Sequence, residues 1–416
     1  MKRTILTQAI VILALFITTI GLHGQVTIGS GEKPRTGALL DLTEGAITTR
    51  GLKMPRVELT NLKPTTPAEL SASIGGTGNW VLADHTALAV YNTKESDHCA
   101  VEPIHEGLYV FDGEQWQFLG KKGSTSAAVY EVIDPRDNQV YLARNFGSTA
   151  GDWMLENLRY IPNNTDAGFT GFTHTAAVAP SPYTAKYWSY PWKGDGSGNT
   201  PYNATQAEAD WDPRTGVLYN WSAATNGENS ETIDQGQVAG TVPGANEVEV
   251  KKETIAGAKN GKIRGICPPN WHVPTDREWN ALEKELTEHA SDYSATANST
   301  WPATWETGTY PNPGYGWRGT THGEVIKSEC ELPGHTYGSP NGKSFSTAQG
   351  GFNAILTGFA YNGDVSHYGY GFYSWTASTY NSGTVWQRGV HGSGARVARD
   401  VGSHIHLFSV RCKKDD

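Results

Sequence analysis

Five tryptophans stand in loop-like text: Trp188, Trp192, Trp301, Trp305 and Trp317. An exposed indole can stack on a sugar ring while Asn, Asp or Glu bond its hydroxyls, and pockets commonly join aromatic walls to a few polar groups. These five are the candidate ligand-binding residues. Packing is the competing role, because Trp buries well, and Trp271, Trp279 and Trp375 are assigned to the core. Asp195, Asp210 and Asp212 offer carboxylates to a calcium ion, which takes roughly six to eight oxygens. Solvated loop carboxylates are the simpler reading, so no cofactor is expected. His174, His322, His335, His391, His404 and His406 show no HExxH spacing. His404 and His406 stand two apart on an expected strand, where both would face one side. No GxSxG elbow is present, and no enzymatic activity is expected. Four cysteines, Cys99, Cys267, Cys330 and Cys412, lack the close spacing of a zinc site.

The chain begins with Lys2 and Arg3, an apolar run from Ile5 to Ile20, and small or polar residues through Gly24. This is the plan of a secretory signal peptide, with cleavage expected after Gly24. The apolar run is shorter than the roughly 20 residues of a membrane span, and no other stretch reads as one. In an exported chain an even cysteine count permits disulfides, and four cysteines allow three pairings. The net charge is -9, and no Lys/Arg-rich block stands out, which argues against nucleic acid as a partner. Only 18% of residues are charged, against roughly 25% in an average domain. With 48 Gly and 14 Trp, this balance points to an extracellular, loop-rich and aromatic-packed fold of short strands and not to a helical bundle.

The elements that must position the candidate residues fall into two parts. Residues 25–125 form a β-rich N-terminal module, in which Asp112-Gly113 between two alternating runs predicts a hairpin. A Gly/Ser-containing stretch, Lys121 to Ala128, reads as a linker. Residues 129–416 form the second domain. It opens with two strands around a turn at Asp134 to Asn138, and 161–210 read as ordered loops. One helix is predicted over Pro274 to His289, with Thr275 and Glu278 as a capping box. Trp279, Leu282 and Leu286 share one of its faces, and Glu283 and Glu285 are expected in water. Beyond about 340, glycines alternate with aromatics as turns between short strands, and His406 to Arg411 alternate as a final strand would.

The N-terminal module resembles one found near the N-termini of many exported Bacteroidota proteins. The matching words are VTIG at Val26 to Gly29, ALLDL at Ala38 to Leu42, GLKMPRV at Gly51 to Val57, VYNT at Val90 to Thr93, and GLYVFDGEQW at Gly107 to Trp116. That resemblance implies a surface or appendage setting. The second domain resembles the Fibrobacter succinogenes major paralogous (FISUMP) domain. Its words are WMLENLRY at Trp153 to Tyr160, GVLYNWSAA at Gly216 to Ala224, GICPPNWHVPTDREW at Gly265 to Trp279, FYSWTAS at Phe372 to Ser378, and SVRC at Ser409 to Cys412.

The second resemblance implies a C-type-lectin-like fold of the α+β class, mostly antiparallel β with long loops and few short helices, and the reading of the residues gives the same picture. It places the turn at Cys267 beside the final strand, so it implies a Cys267–Cys412 disulfide; Cys99 and Cys330 could then pair by parity. It also implies that His272 is a bonded structural residue. The Glu-Pro-Asn, Gln-Pro-Asp and Trp-Asn-Asp triplets of calcium-dependent lectins are absent, so their calcium site is not carried over. The close cysteine pair of the formylglycine-generating relatives is absent too, which sets that catalytic alternative aside. The implied function is an exported, cell-surface binding or adhesion protein for a glycan or a protein. A structural or accessory subunit of a surface assembly or appendage is the alternative.

Overall fold

The computed structural model describes residues 51–96, 99–100, 103–119, 128–166, 168–176, 185–195, 198–227, 262–305, 315–334, 337, 340–381 and 384–415, with the backbone of short strand pieces at 26–27, 40–41 and 258–259. The expected signal peptide, the linker at Lys121 to Ala128 (Ala128 apart) and His335 lie outside them. The chain divides into two compact units, residues 1–93 with 107–117, and residues 94–106 with 118–416.

In the first unit, β1 (Arg56–Val57), β2 (Ala89–Asn92), β3 (Gly107–Phe111) and β4 (Trp116–Phe118) make a sheet in that order. Helix α1 (Pro67–Ser73) begins with a capping box between Thr66 and Glu69 and with proline in its first turn, where the missing N–H has no intrahelical partner to lose. The Asp112-Gly113 hairpin forms as predicted: Asp112 accepts the N–H groups of Glu114 and Gln115, both at 2.8 Å, and Gly113 takes φ 106°. Leu70, Val90, Tyr109, Phe111 and Trp116 are buried in this unit. The Trp116 indole donates to Ser73 at 3.0 Å, so the buried N–H is satisfied.

The second unit opens with the hairpin of β5 (Val129–Ile133) and β6 (Val140–Asn145), followed by β7 (Asp152–Met154). The turn forms where the sequence places it, with Arg136 forked onto the buried Asp134 carboxylate. These strands continue through Lys413–Lys414 to Trp271–His272 in one five-stranded sheet. That register sets Cys267 beside Cys412, and the two are disulfide-bonded with Cα atoms 5.9 Å apart. Cys99, on the 94–106 segment of this unit, is bonded to Cys330, and Arg214 donates to its carbonyl oxygen.

Helix α2 (Asp276–Glu288) forms within the predicted range, closed at its start by the Thr275–Glu278 capping box. Trp279, Leu282 and Leu286 are fully buried. Glu283 corrects the expectation that it sees water, for it is fully buried. Asp276, Asn280 and Glu283 recur at i, i+4 and i+7, making a polar stripe beside the apolar one. Both stripes point inward.

A second, four-stranded sheet begins with β8 (Gly316–Arg318). Its order is β8, then β13 (Val397–Ser403), β12 (Thr384–His391) and β11 (Gly371–Asn381), all antiparallel. The short pair β9 (Phe359–Tyr361) and β10 (Asp364–Ser366) forms a hairpin nearby in sequence. Phe372, Val390 and Val397 pack with Trp279, Leu282 and Leu286 in one core. Trp375, Ala377 and Val385 belong to another, with Trp221, Trp271 and Phe408.

Two further expectations are corrected. Residues 161–210 contain strands at Phe172–His174, Lys186–Ser189 and Thr200–Pro201 and a helix at Ala204–Ala209. Their partners include Leu218–Tyr219 and Asp364–Val365, too distant in sequence for a local pattern to reveal. His404 lies in a turn closed by the His406 N–H to the Ser403 carbonyl at 3.0 Å, so the two histidines do not share a strand face. The expected final strand is reduced to bridges at Leu407, Phe408 and Ser409 and the pair Lys413–Lys414.

Candidate functional site

Successive strand residues point to opposite faces, and the register of the second sheet sorts its side chains into two sets. Gly316, Arg399, Arg388 and Ser374 lie in one cross-strand row, and Trp317, Ala398, Gly389 and Tyr373 in the next. The first row faces α2. Arg388 donates to Asp276 at 2.5 Å, Glu283 at 2.5 Å and Asn280 at 2.9 Å. Arg399 donates to Asp276 at 2.7 Å, and Arg318 to Glu283 at 2.5 Å and Asn280 at 2.7 Å. His322 lies 3.2 Å from Glu283. All these groups are buried.

Burial alone would raise the Asp276 and Glu283 carboxyls, but the guanidiniums outweigh it and hold both below the usual range, Glu283 well below. Three guanidiniums share two carboxylates. Burial accordingly prevails over Glu283 at Arg318, whose pKa falls to about 10. Fully engaged charges of this kind shape a core and leave no reacting atom free.

The other row faces away from α2 and is built from rings lying on small residues. A Cβ on Gly371 would come within 2.7 Å of the Tyr373 ring, and one on Gly389 within 3.4 Å. The two glycines therefore let Tyr373 lie down along the sheet. Its far side stacks on Phe408 at 5.3 Å, and its hydroxyl is hydrogen-bonded to His391 Nε2 at 2.8 Å. Trp317 packs on His391 with centroids 4.4 Å apart. His391 then meets Tyr370 at 4.9 Å, and Tyr370 meets Tyr337 at 4.6 Å and His367 at 5.3 Å. Trp317 is 38% exposed, Phe408 is buried, and the other rings are half-buried.

Two devices hold this layer. Lys327, buried, donates to the carbonyls of His391, Gly392 and Gly394 at 2.8, 3.2 and 2.6 Å, fixing the turn after β12. His367 takes φ 59°, a left-handed conformation in which histidine is enriched among non-glycine residues. Its carbonyl accepts the N–H groups of Tyr370 and Gly371, each at 2.9 Å. Burial, then His367 and Lys327, push the His391 pKa down to about 4, and burial lowers His367 too. The layer is thus uncharged at neutral pH, with the Trp317 indole exposed at its end.

The five tryptophans singled out by sequence are dispersed. Trp188 is 7% exposed and stacks on His174 at 4.1 Å. Trp192 is 8% exposed and donates to Asp210 at 3.1 Å. Trp301, 6% exposed, meets the half-buried Trp305 edge-on at 5.0 Å and lies 5.1 Å from the Arg318 guanidinium. These four rings pack within the unit, and Trp317 alone of the five joins the exposed layer. Its partners Tyr337, His367, Tyr370, Tyr373 and His391 were missed as site residues. Alternation along Gly371-Phe372-Tyr373 does separate Tyr373 from the core face, but only the register brings it to His391.

Asp195 accepts from Thr200 at 2.8 Å, Asp210 from Trp192, and Asp212 from Arg214 at 2.5 Å. Among the described residues no group of three or more His, Cys, Asp or Glu could hold a metal ion. His272 is a bonded core residue, 2.7 Å from Asp415 and 3.0 Å from Glu278. Burial opposes its charge, but the two carboxylates raise its pKa.

Comparison with known families gives two matches. The model of the Fibrobacter succinogenes major domain matches residues 149–414, and that of a phage tail like trimerisation region matches residues 27–128. No curated protein and no solved structure matches the chain.

Proposed function

The chain belongs to the Fibrobacter succinogenes major domain family, and on that premise we propose that it is an exported, non-catalytic binding protein displayed at the cell surface as a trimer. The observation that carries this reading is the joining, in one chain, of a trimerisation-like region at 27–128 to a family domain with an exposed ring layer. Joining copies raises avidity through effective concentration without any new contact, so even a weak site gains from such a mount. Its ligand is a glycan or a protein.

Export is supported by the N-terminal pattern of the sequence and by two disulfides, which persist in oxidising compartments. No helix among the described residues is long and apolar enough to cross a membrane. The mostly antiparallel second unit, with its disulfide beside the closing strand pair, suits a C-type-lectin-like fold. The reading needs no cofactor: Asp195, Asp210 and Asp212 are engaged by neighbouring side chains.

A structural subunit of a surface assembly is the second reading. It is favoured by apolar side chains left exposed in the first unit, Leu52 at 64% and Val81 at 53%, which an assembly could cover. Light scattering on purified 25–416 tests the shared premise, with three times the monomer mass expected. A monomer at micromolar concentration would overturn trimeric display. Binding of a glycan array or a surface protein by that sample then separates the binding subunit from the purely structural one.

A further inference from the structure

We propose that the ring layer formed by Trp317, His391, Tyr370 and Tyr337 is a metal-independent site for a neutral saccharide. This deepens the binding reading and rests on it. Three observations converge.

The first is shape. Tyr373 lies on Gly371 and Gly389, His391 stands at 67° to it, and the Trp317 indole is inclined 59° to His391. The angle is 34° for His391 and Tyr370, 33° for Tyr370 and Tyr337, and 27° for His367 and His391. With centroids 4.9 Å apart for His391 and Tyr370 and 4.6 Å for Tyr370 and Tyr337, these rings lie against one another and form a firm row, on whose exposed end the C–H face of a pyranose can stack. Trp317 extends it with an exposed indole.

The second is polarity. Tyr370 and Ser393 hydroxyls lie 3.1 Å apart at the rim, and both can donate and accept, which suits a sugar hydroxyl. A ligand held by ring faces and a few such groups follows the usual make-up of small-molecule sites.

The third is charge. Lys327, the ammonium behind the turn, directs its donors to three backbone carbonyls, and the imidazoles are neutral at pH 7. Among the described residues, no side chain of the ring layer offers a counter-charge to a uronic acid, sulfate or phosphate. The fixed turn and the glycine-backed rings also leave little to order on binding, which lowers the cost of association.

Affinity electrophoresis of 25–416 through gels containing a β-glucan, a galactan, a mannan or polygalacturonate, with EDTA at pH 7, tests the proposal. At least one neutral polymer should retard the protein. Trp317→Ala should weaken that retardation by about tenfold or more, and Tyr370→Phe, which keeps the ring and removes the hydroxyl, by roughly threefold. Retardation by no neutral polymer, preference for polygalacturonate, or equal retardation of a folded Trp317→Ala variant would each overturn it. If Trp317→Ala does not fold, unchanged affinity of Tyr370→Phe overturns it instead. Capture of a surface protein by a chain that ignores every neutral polymer would sink the saccharide site and leave the broader binding reading standing.

Discussion

The two faces of the β8–β13–β12–β11 sheet use the same strands for opposite ends. On β12, Arg388 points inward to two carboxylates, while Gly389 and His391 serve the outer ring layer. On β8, Arg318 goes in and Trp317 goes out. The inner face carries formal charges with their hydrogen bonds made, which specifies how α2 sits on the sheet. The outer face carries uncharged rings, half-buried except for the exposed Trp317.

The largest effect that would sharpen this contrast is expected on the inner face. Glu283→Ala leaves Arg318 and Arg388 short of a buried partner, at a cost of about 3–5 kcal/mol, readable from urea unfolding. A loss under about 1 kcal/mol would mean that water enters the cluster and that the faces differ less than drawn. Next comes the backing of the outer face. Gly371→Ala sets a methyl 2.7 Å from the Tyr373 ring and should destabilise by about 1–3 kcal/mol through overpacking. It should also break the Tyr373–His391 hydrogen bond, visible as a raised His391 pKa in NMR titration.

Removing the exposed indole is milder. Trp317→Ala is expected to cost under about 1 kcal/mol, as surface substitutions usually do. A larger loss in thermal unfolding would assign Trp317 to the core.

The smallest effect is the pH dependence of the outer face. The folded-state pKa of His391, about 4, lies below its unfolded value. As pH falls from about 6.5 to 4 the unfolded chain therefore takes up the proton first, and stability drops. Solvent screening at this half-exposed ring holds the loss to under about 1 kcal/mol. His272 has the opposite sign: its folded pKa is raised, so its contribution is present below about pH 6.5 and is lost as pH rises through the folded value. Thermal melts of His391→Gln and the unaltered chain between pH 4 and 7 should converge at the acid end. Parallel curves would remove His391 from the account.

Local rules made much of this legible in advance. The capping box at Thr275 and Glu278 and the hairpins at Asp112-Gly113 and Asp134 to Asn138 depend on hydrogen bonds between residues a few positions apart, which residue type and spacing encode directly. Family words in the right order carried the Cys267–Cys412 bond. The failures are as instructive. Glu283 reads as a solvent residue because α2 has an apolar stripe already. Its burial depends on arginines 35 and 105 residues later in the chain.

By itself, then, the sequence determined the long helix and its start, the tight turns and the family of the second unit, because short-range hydrogen bonding and hydrophobic period write themselves into neighbouring residues. Tertiary structure alone decided that Trp317 stands in a row with Ala398, Gly389 and Tyr373, that Cys99 meets Cys330, and that Arg388 and His391 part company across one strand. The first and last follow from strand register, in which a slip of one residue exchanges the two faces, and all three are set by the summed packing of distant segments.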